Sequence, residues 1–345
     1  MTLIDRRVWF APVALVAALV ALVALAPPAA AQVTNIRVGT IAAEGTPWHQ
    51  ILQEMGQAWQ KVSGGKVRIT IYAGTLGDES DMIRRMRSNS LQCAAVTSVG
   101  LETIAKELSA LSIPLLFKTY DELDFVRDRL TPRLEKALED KGFIVLNWGD
   151  AGWVRFFSVK PAPTLNDLRQ MKLFTWAGSP QAEEMYKDAG FRPVPLAPTD
   201  ILQSLQTRVI EAFPAPAIGA LGYQWFGLAK NMLDLKFAPI VGATIITKAS
   251  WDKFDAPLRE ALMKEARGAG ARLKDEIRKI EDTAVVEMQK RGLKVVTMTP
   301  EAEREWQETA EKFYGRVRGE IVQPREFDEV MALVKEYRAT RGKGK

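Results

Sequence analysis

The feature that most constrains the fold is an alternation of short apolar runs with amphipathic stretches. Residues 36–41 and 67–72 are rich in β-branched side chains, and residues 93–96 form a third apolar run. Between these predicted strands, residues 48–62 and 81–90 have helical spacing of their apolar positions. A β-α-β-α-β order predicts an α/β protein with a parallel, doubly wound sheet and right-handed crossovers.

The second half of the chain continues the same alternation. Further strands are predicted at residues 143–146, 173–176, 191–196, 240–247 and 293–296. One helical stretch, residues 257–289, is interrupted only by Gly268 and Gly270 and is long enough to extend across two domains. A chain of 345 residues has room for two domains of about 150 residues each.

The N-terminus has the pattern of a secretory signal peptide. Arg6 and Arg7 precede an apolar run at residues 8–26, and three alanines at 29–31 come before Gln32. The alternative is a membrane anchor, because the run approaches the length of a membrane span. The proline pair and the alanines favour cleavage, so we expect residues 1–31 to be removed and the mature protein to reside in the periplasm.

Composition excludes several classes of function. The 47 Lys and Arg residues outnumber the 42 Asp and Glu residues only slightly, and they form no basic block, so nucleic-acid binding is not indicated. Cys93 is the only cysteine, which excludes an internal disulfide, and its apolar neighbours predict a buried small residue.

The sequence contains no recognisable catalytic motif. A single histidine, His49, provides neither a histidine-based metal site nor a Ser-His-Asp triad with a spare base. The sequence also has no glycine-rich phosphate loop. We therefore expect no cofactor and no enzymatic activity, and we interpret the chain as a two-domain protein that closes on a ligand.

Four stretches resemble the solute receptors of tripartite ATP-independent periplasmic (TRAP) transporters, the DctP-like family. They are YAGTLGDE at 72–79, IPLLF at 113–117, TLNDL with MKL at 164–173, and LQT with VIE at 205–211. The resemblance implies two α/β domains with a hinge, a long helix beneath both, and a small organic acid bound in the cleft between them. It also implies delivery of that ligand to the small and large membrane subunits of a permease, without ATP hydrolysis.

The predicted domains are discontinuous in sequence. Domain I comprises residues 32–153 with 244–285, and domain II comprises residues 154–243 with 286–345. We expect the receptor to be a monomer.

Two departures from the family pattern change the expected ligand. Phe174 stands where the family usually has an arginine that holds a ligand carboxylate, and Ala215 lies near the place of a ligand-binding asparagine. Both changes remove polar contacts. The sequence therefore predicts a monocarboxylate with an apolar or aromatic body rather than a dicarboxylate or a sugar acid.

Arg155 is the predicted carboxylate anchor. It follows Gly152 and Trp153 at the predicted domain crossing, near where related receptors place a second ligand arginine. The alternative is an exposed or ion-paired arginine on a strand. Phe174 and Trp176 fall on one face of a strand by alternation and are predicted to contact the ligand, the alternative being ordinary core packing.

The remaining candidate ligand contacts are Phe213, Tyr223, Trp225, Trp48, His49 and Glu44. Trp48 and His49 lie at the first strand-to-helix turn, where His49 could equally be a helix-start residue with its own partner. Glu44 is placed to accept a hydrogen bond from a ligand hydroxyl or amine.

Two other functions stay open at this stage. One is a periplasmic enzyme on the same scaffold, and the other is a sensory receptor that delivers its ligand to a membrane kinase. The sequence alone does not separate sensing from transport.

Overall fold

The computed structural model describes residues 33–177 and 180–340, and the statements below refer to these residues. The predicted signal peptide, residues 1–31, lies outside them. Within the described ranges, no helix is both long enough and apolar enough to cross a membrane.

The described residues form ten strands and twelve α-helices. The strands are β1 Thr34–Thr40, β2 Val67–Ala73, β3 Cys93–Thr97, β4 Phe143–Ser158, β5 Lys172–Trp176, β6 Arg192–Leu196, β7 Ala212–Pro216, β8 Asn231–Leu233, β9 Pro239–Thr247 and β10 Lys294–Val296. The helices are α1 Pro47–Val62, α2 Glu79–Arg87, α3 Ser98–Glu102, α4 Tyr120–Asp140, α5 Leu165–Arg169, α6 Pro180–Asp188, α7 Ile201–Gln206, α8 Ala217–Gly222, α9 Lys248–Trp251, α10 Ala256–Lys290, α11 Pro300–Arg316 and α12 Pro324–Thr340.

The strands join in the order β2-β1-β3-β9-β4-β7-β5-β6, with β8 paired to β4 and β10. The prediction of parallel pairing is confirmed for β1 with β2 and β3, and β5 with β6 and β7 are parallel as well. However, β9 runs antiparallel to both β3 and β4, so the sheet is mixed. This follows from the chain path, because β4 carries the chain out of the first half and β9 brings it back.

Strand β4 links the two halves of the molecule. Its residues 143–153 pair with β9, whereas residues 154–158 pair with β7. A register shift lies between Asp150 and Gly152, and Gly152 has a φ of 105°, a conformation that favours glycine. The predicted strand ended at residue 146, so β4 is much longer than its sequence pattern indicated.

The predicted domain boundaries fall at different kinds of place. The 153/154 boundary coincides with the change of partner along β4. The 243/244 boundary falls inside β9, and the 285/286 boundary falls inside α10. The exact division into two domains therefore stays a prediction.

Each half of the sheet is buried on both faces. In β3, Ala94 packs into one apolar cluster and Cys93 into another, as expected for neighbouring residues that point to opposite faces. In β4, Phe156 and Phe157 divide in the same way between two clusters of the second half. Burial of Cys93 as a free cysteine confirms its predicted role as a small core residue.

The long helix α10 is continuous and spans both halves, as predicted. Leu262 and Ile277 pack in the first half, whereas Ala284 and Met288 pack in the second. The surroundings of Gly270 explain why this position of the helix is a glycine. A Cβ atom added there would lie 2.5 Å from the Cβ of Asn147, so α10 can approach β4 closely only without a side chain at this position.

A buried ion-pair network joins α10, α4 and β4 near the crossing. Asp150 is fully buried, and its carboxylate accepts hydrogen bonds from Arg127 at 2.6 Å and from Arg278 Nε at 2.7 Å. Arg278 also bonds to Asp124 at 2.7 Å. Burial alone would raise the pKa of Asp124, but the hydrogen bond from Arg278 and the charges of Arg127 and Lys274 lower it below its usual value.

Candidate functional site

A cavity of about 530 Å³ lies between the two halves. The first half contributes the loop after β1, the turn from β3 into α3 and the segment that follows it. The second half contributes the end of β5, β7 and α8, while β4 and β9 line the cavity where they pass between the halves. Ligand sites in proteins commonly have volumes of about 300–1,000 Å³, so the cavity suits a small molecule.

The cavity wall is predominantly apolar. Its charged residues, within the part of the chain described, are Glu79, Glu102, Lys106 and Glu320. Lys106 is the single cationic residue in this set, and the described lining contains no arginine. A ligand with a large apolar surface and few charges fits such a wall.

Glu79 is a buried structural carboxylate in the cavity wall. Its Oε1 accepts a hydrogen bond from the Thr97 amide, and its Oε2 accepts bonds from the Thr97 hydroxyl and the Gly100 amide, all at 2.8 Å. Burial raises the pKa of Glu79 to about 7, although the bonds from Thr97 and Gly100 act in the opposite direction. Because both oxygens are occupied, Glu79 holds α3 in place against the cavity.

Glu102 differs from Glu79 in having no partner. It ends α3 and is half-buried, and its side chain makes no hydrogen bond or ion pair within the described structure. Burial, and to a lesser degree the charge of Glu79, raises the pKa of Glu102 to about 8. A carboxyl group that is neutral at pH 7 can donate a hydrogen bond as well as accept one.

Two hydroxyl groups of lining residues are also without partners. Thr175 of β5 is only 3% exposed, and its Oγ1 atom is buried and makes no hydrogen bond to any described group. The Oγ atom of Ser112 is likewise buried and unpaired there. Buried polar groups are normally hydrogen-bonded, so unpaired hydroxyls in a cavity wall indicate places where a ligand makes polar contacts.

Five of the predicted site residues line the cavity: Trp48, Phe174, Trp176, Tyr223 and Trp225. Tyr223 stacks on Trp225 with ring centres 4.8 Å apart, and its hydroxyl donates to the carbonyl oxygen of Ile41 in the opposite half. The Nε1 of Trp48, a residue of α1, donates a hydrogen bond to the carbonyl oxygen of Asp150 at 3.1 Å, which holds the indole ring against β4.

Arg155 is not part of the described cavity wall. Its side chain is buried, and Nη1 bonds to Asp234 Oδ1 at 3.1 Å, matching the ion-paired alternative considered from the sequence. Val154, its neighbour in β4, lines the cavity, whereas Arg155 is not among the described lining residues. Alternation along β4 accounts for this difference. Its role as a carboxylate anchor stays a prediction that the cavity geometry does not favour.

Three further candidates are also not among the described lining residues. Phe213 is fully buried and stacks on Phe157 with ring centres 5.1 Å apart, so it is part of the core. His49 accepts a hydrogen bond through Nδ1 from the Gly45 amide at 3.2 Å, which is the helix-start role. Glu44 is exposed.

Sequence reasoning missed Glu102, Lys106, Ser112 and Thr175. Thr175 had a usable signal, because it sits between two predicted contact residues at the end of a strand. No sequence signal indicated Glu102 or Lys106, because their position depends on how α3 packs against Glu79. Across the described ranges, no group of three or more His, Cys, Asp or Glu residues is placed to hold a metal ion.

The fold and the cavity define a two-lobed solute-binding protein. The chain belongs to family 7 of the bacterial extracellular solute-binding proteins, the DctP family, whose sequence profile matches residues 38–319. This confirms the resemblance to TRAP receptors, and it confirms a binding function rather than an enzymatic one.

Individual relatives are distant but match over most of their length. The chain is 22% identical over 268 residues to the 2,3-diketo-L-gulonate-binding periplasmic protein YiaO of Escherichia coli, covering 76% of this chain and 81% of that protein. Two crystal structures share the fold. One is a TRAP periplasmic solute-binding protein from Ralstonia eutropha with bound (S)-2-acetolactate, with a TM-score of 0.82 at 19% identity, covering 88% of this chain and 99% of that one.

The second structure is the sugar acid binding protein DctPAm from Advenella mimigardefordensis in complex with galactonate. Its TM-score is 0.83 at 18% identity, with 88% of this chain and 99% of that chain covered. At these identities the structures establish the fold, and the ligand has to be argued from this chain's own cavity.

Proposed function

We propose that this protein is the periplasmic receptor of a TRAP transporter, that it binds a small organic acid with an apolar or aromatic body between its lobes, and that it delivers this ligand to the membrane subunits of a permease. The cavity wall carries the proposal. It combines seven aromatic residues with a single cation, Lys106, among the described lining residues. The predicted signal peptide at residues 1–31 supports the periplasmic location.

Comparison with the relatives supports an acid ligand, and the apolar cavity wall is the argument for its kind. YiaO is named for 2,3-diketo-L-gulonate, and the two similar structures hold acetolactate and galactonate. In this chain, an acid with several hydroxyl groups or a second carboxylate would meet mostly apolar side chains. Burying polar groups without partners is costly, so the cavity favours one acid group attached to an apolar body.

Calorimetric titration tests the ligand class. We expect phenylacetate and 4-methyl-2-oxopentanoate to bind, and succinate and galacturonate to bind at least about tenfold more weakly, which corresponds to about 1.4 kcal/mol. A result in which only succinate or galacturonate binds would contradict the proposal.

A matched pair of variants locates the binding site. A Cβ atom at Gly219, which lines the cavity, would meet no described atom within 4 Å, so the indole of Gly219→Trp can occupy the space. Gly227 has equally open surroundings but is not among the described lining residues. We expect Gly219→Trp to abolish binding and Gly227→Trp to preserve it.

Uptake measurements test the transport role. Deletion of the gene in its own organism should abolish uptake of the ligand identified by calorimetry. Normal uptake in the deletion strain, with intact binding by the purified protein, would instead favour the sensory alternative.

A further inference from the structure

Glu102 is the acidic residue of the cavity wall whose side chain the described structure leaves without a partner. It occupies the end of α3, where Glu79 fixes the helix by its bonds to Thr97 and Gly100. No ion pair within the described chain connects Glu102 to Lys106, the nearby cation of the same wall. The carboxyl group therefore faces a cavity with its hydrogen-bonding capacity unused.

We propose that Glu102 is a specificity-determining residue, and that its carboxylic acid group donates a hydrogen bond to the carboxylate of the bound ligand. This inference rests on the proposed function, because it presupposes that the ligand is an acid. It assigns the ligand's acid group to the wall formed by α3 and Lys106 in the first half. Arg155, in contrast, is occupied by Asp234.

The groups around Glu102 explain why it would act in its neutral form. Glu79 on α2 and Glu320 on the turn after α11 are acidic, and Tyr186 of α6 and Tyr223 of the second half also line the same cavity. Lys106 supplies one positive charge. The guanidinium group of Arg87 donates a hydrogen bond to the carbonyl oxygen of Thr103 at 3.2 Å.

Arg316 pairs with Glu320 at 2.8 Å and compensates its charge, whereas Lys106 forms no ion pair with Glu102 within the described chain. Burial and the charge of Glu79 raise the pKa of Glu102 to about 8, so the group is mostly protonated at pH 7. In that state it attracts a ligand carboxylate, whereas its ionised form would repel one. A second ligand carboxylate would find no further cation among the described lining residues.

The pH dependence follows from this arrangement. The contribution of Glu102 to the affinity for a carboxylate ligand should be constant between pH 6 and pH 7, where Glu102 is mostly protonated. Above about pH 8 it should fall, approaching about tenfold per pH unit, because the proton must be restored before the ligand binds.

Three probes with the same phenyl body separate the possible end groups: phenylacetate, 2-phenylethanol and 2-phenylethylamine. Their affinities are measured between pH 6 and pH 9 on the wild type, on Glu102→Gln and on Glu107→Gln. The amide of Glu102→Gln donates a hydrogen bond but does not ionise. We expect this variant to bind phenylacetate well at pH 6 and to lose the decline above pH 8. Glu107, which is half-buried but not among the described lining residues, serves as the control, and its variant should keep the decline.

Three results would overturn the inference. They are a loss of phenylacetate affinity greater than about tenfold in Glu102→Gln at pH 6, an affinity of the wild type for phenylacetate that rises with pH, and a preference for 2-phenylethylamine. The last two results would mean that Glu102 binds a cation in its ionised form.

Infrared difference spectroscopy on the ligand-free protein separates this inference from the proposed function. The spectrum of the wild type minus that of Glu102→Gln should show a protonated carboxylic acid band at pH 7 that disappears above pH 9. If none of the acids binds, the proposed function fails while the band can still be present. Absence of the band at pH 7 overturns the role of Glu102, whichever acids bind.

Discussion

Glu281 of α10 accepts a hydrogen bond through Oε1 from the backbone amide of Trp153, at 3.0 Å. Trp153 is the last residue of β4 that pairs with β9, and the next residue pairs with β7. The long helix is therefore attached to β4 at the place where the strand passes from one half of the molecule to the other. The hydroxyl of Tyr120 donates to the second oxygen of the same carboxylate, which connects α4 to this point.

Replacing Glu281 should destabilise the protein. Glu281→Ala leaves the Trp153 amide and the Tyr120 hydroxyl without their acceptor, and an unsatisfied buried donor costs about 1–3 kcal/mol. We expect the free energy of unfolding, measured by urea denaturation, to fall by at least this amount. Asp282→Ala removes the exposed neighbouring carboxylate and is the control. Equal stabilities of the two variants would contradict the role of Glu281.

The Asp150 network predicts a large effect of charge removal. Asp150→Asn removes one of the two carboxylates that Arg127, which is buried, and Arg278, which is partly buried, share; Asp124 is the other. Breaking a buried ion pair costs up to about 3–5 kcal/mol. Asp252→Asn removes an exposed carboxylate that pairs with Lys248 and Arg259, for which about 0–1 kcal/mol is expected. Thermal unfolding distinguishes the two variants. A similar small change in both melting temperatures would show that the network is not important for stability.

Two glycines in α10 should respond in opposite ways to alanine. Gly270→Ala places a Cβ atom 2.5 Å from Asn147 Cβ and 2.8 Å from the Trp148 carbonyl oxygen, so helix and strand must separate. At Gly268 a Cβ would meet only Arg272 Nη1, at 3.6 Å, an ordinary contact. We therefore expect Gly268→Ala to stabilise the protein by up to about 1 kcal/mol through helix propensity, and Gly270→Ala to destabilise it. Chemical denaturation gives both values, and stabilisation by Gly270→Ala would disprove the close approach.

The unpaired hydroxyl of Thr175 predicts opposite changes in stability and binding. Thr175→Val removes a buried hydroxyl that has no described partner, so the ligand-free protein should become equally or more stable. If the hydroxyl contacts the ligand, affinity should fall by about tenfold or more, which calorimetry with phenylacetate measures. Thr175→Ser keeps the hydroxyl and should retain binding. Unchanged affinity in Thr175→Val would exclude the contact.

Local sequence patterns were sufficient for most of the secondary structure, because strands β1 to β3 and helix α10 carry their periodicity within themselves. The full extent of β4 was not predictable in this way. Asn147 and Asp150 interrupt its apolar pattern, and both form hydrogen bonds to groups that are distant in sequence. Asn147 Nδ2 donates to the carbonyl oxygen of Ala266 at 3.1 Å, and Arg278 donates to Asp150.

The candidate site divides in the same way. Residues placed by their own strand or turn were predictable from the sequence, whereas residues placed by contacts with distant elements were not. Trp48, Phe174 and Trp176 line the cavity because strand ends and strand-to-helix turns of α/β proteins face the ligand site, and their contact with the ligand stays a prediction. Glu102 was missed because its exposure to the cavity depends on Glu79, which comes from another helix. Arg155 was assigned to the ligand from its place at the predicted domain crossing and from the resemblance to related receptors, whereas the structure pairs it with Asp234.

Native mass spectrometry of the protein purified from the periplasm of its own organism identifies the ligand that the cavity binds. We expect one bound small molecule per chain, a monocarboxylic acid with an apolar or aromatic body, which is retained in Gly227→Trp and absent from Gly219→Trp. A dicarboxylate or a sugar acid in the wild type, or an identical ligand mass in both variants, would contradict this expectation.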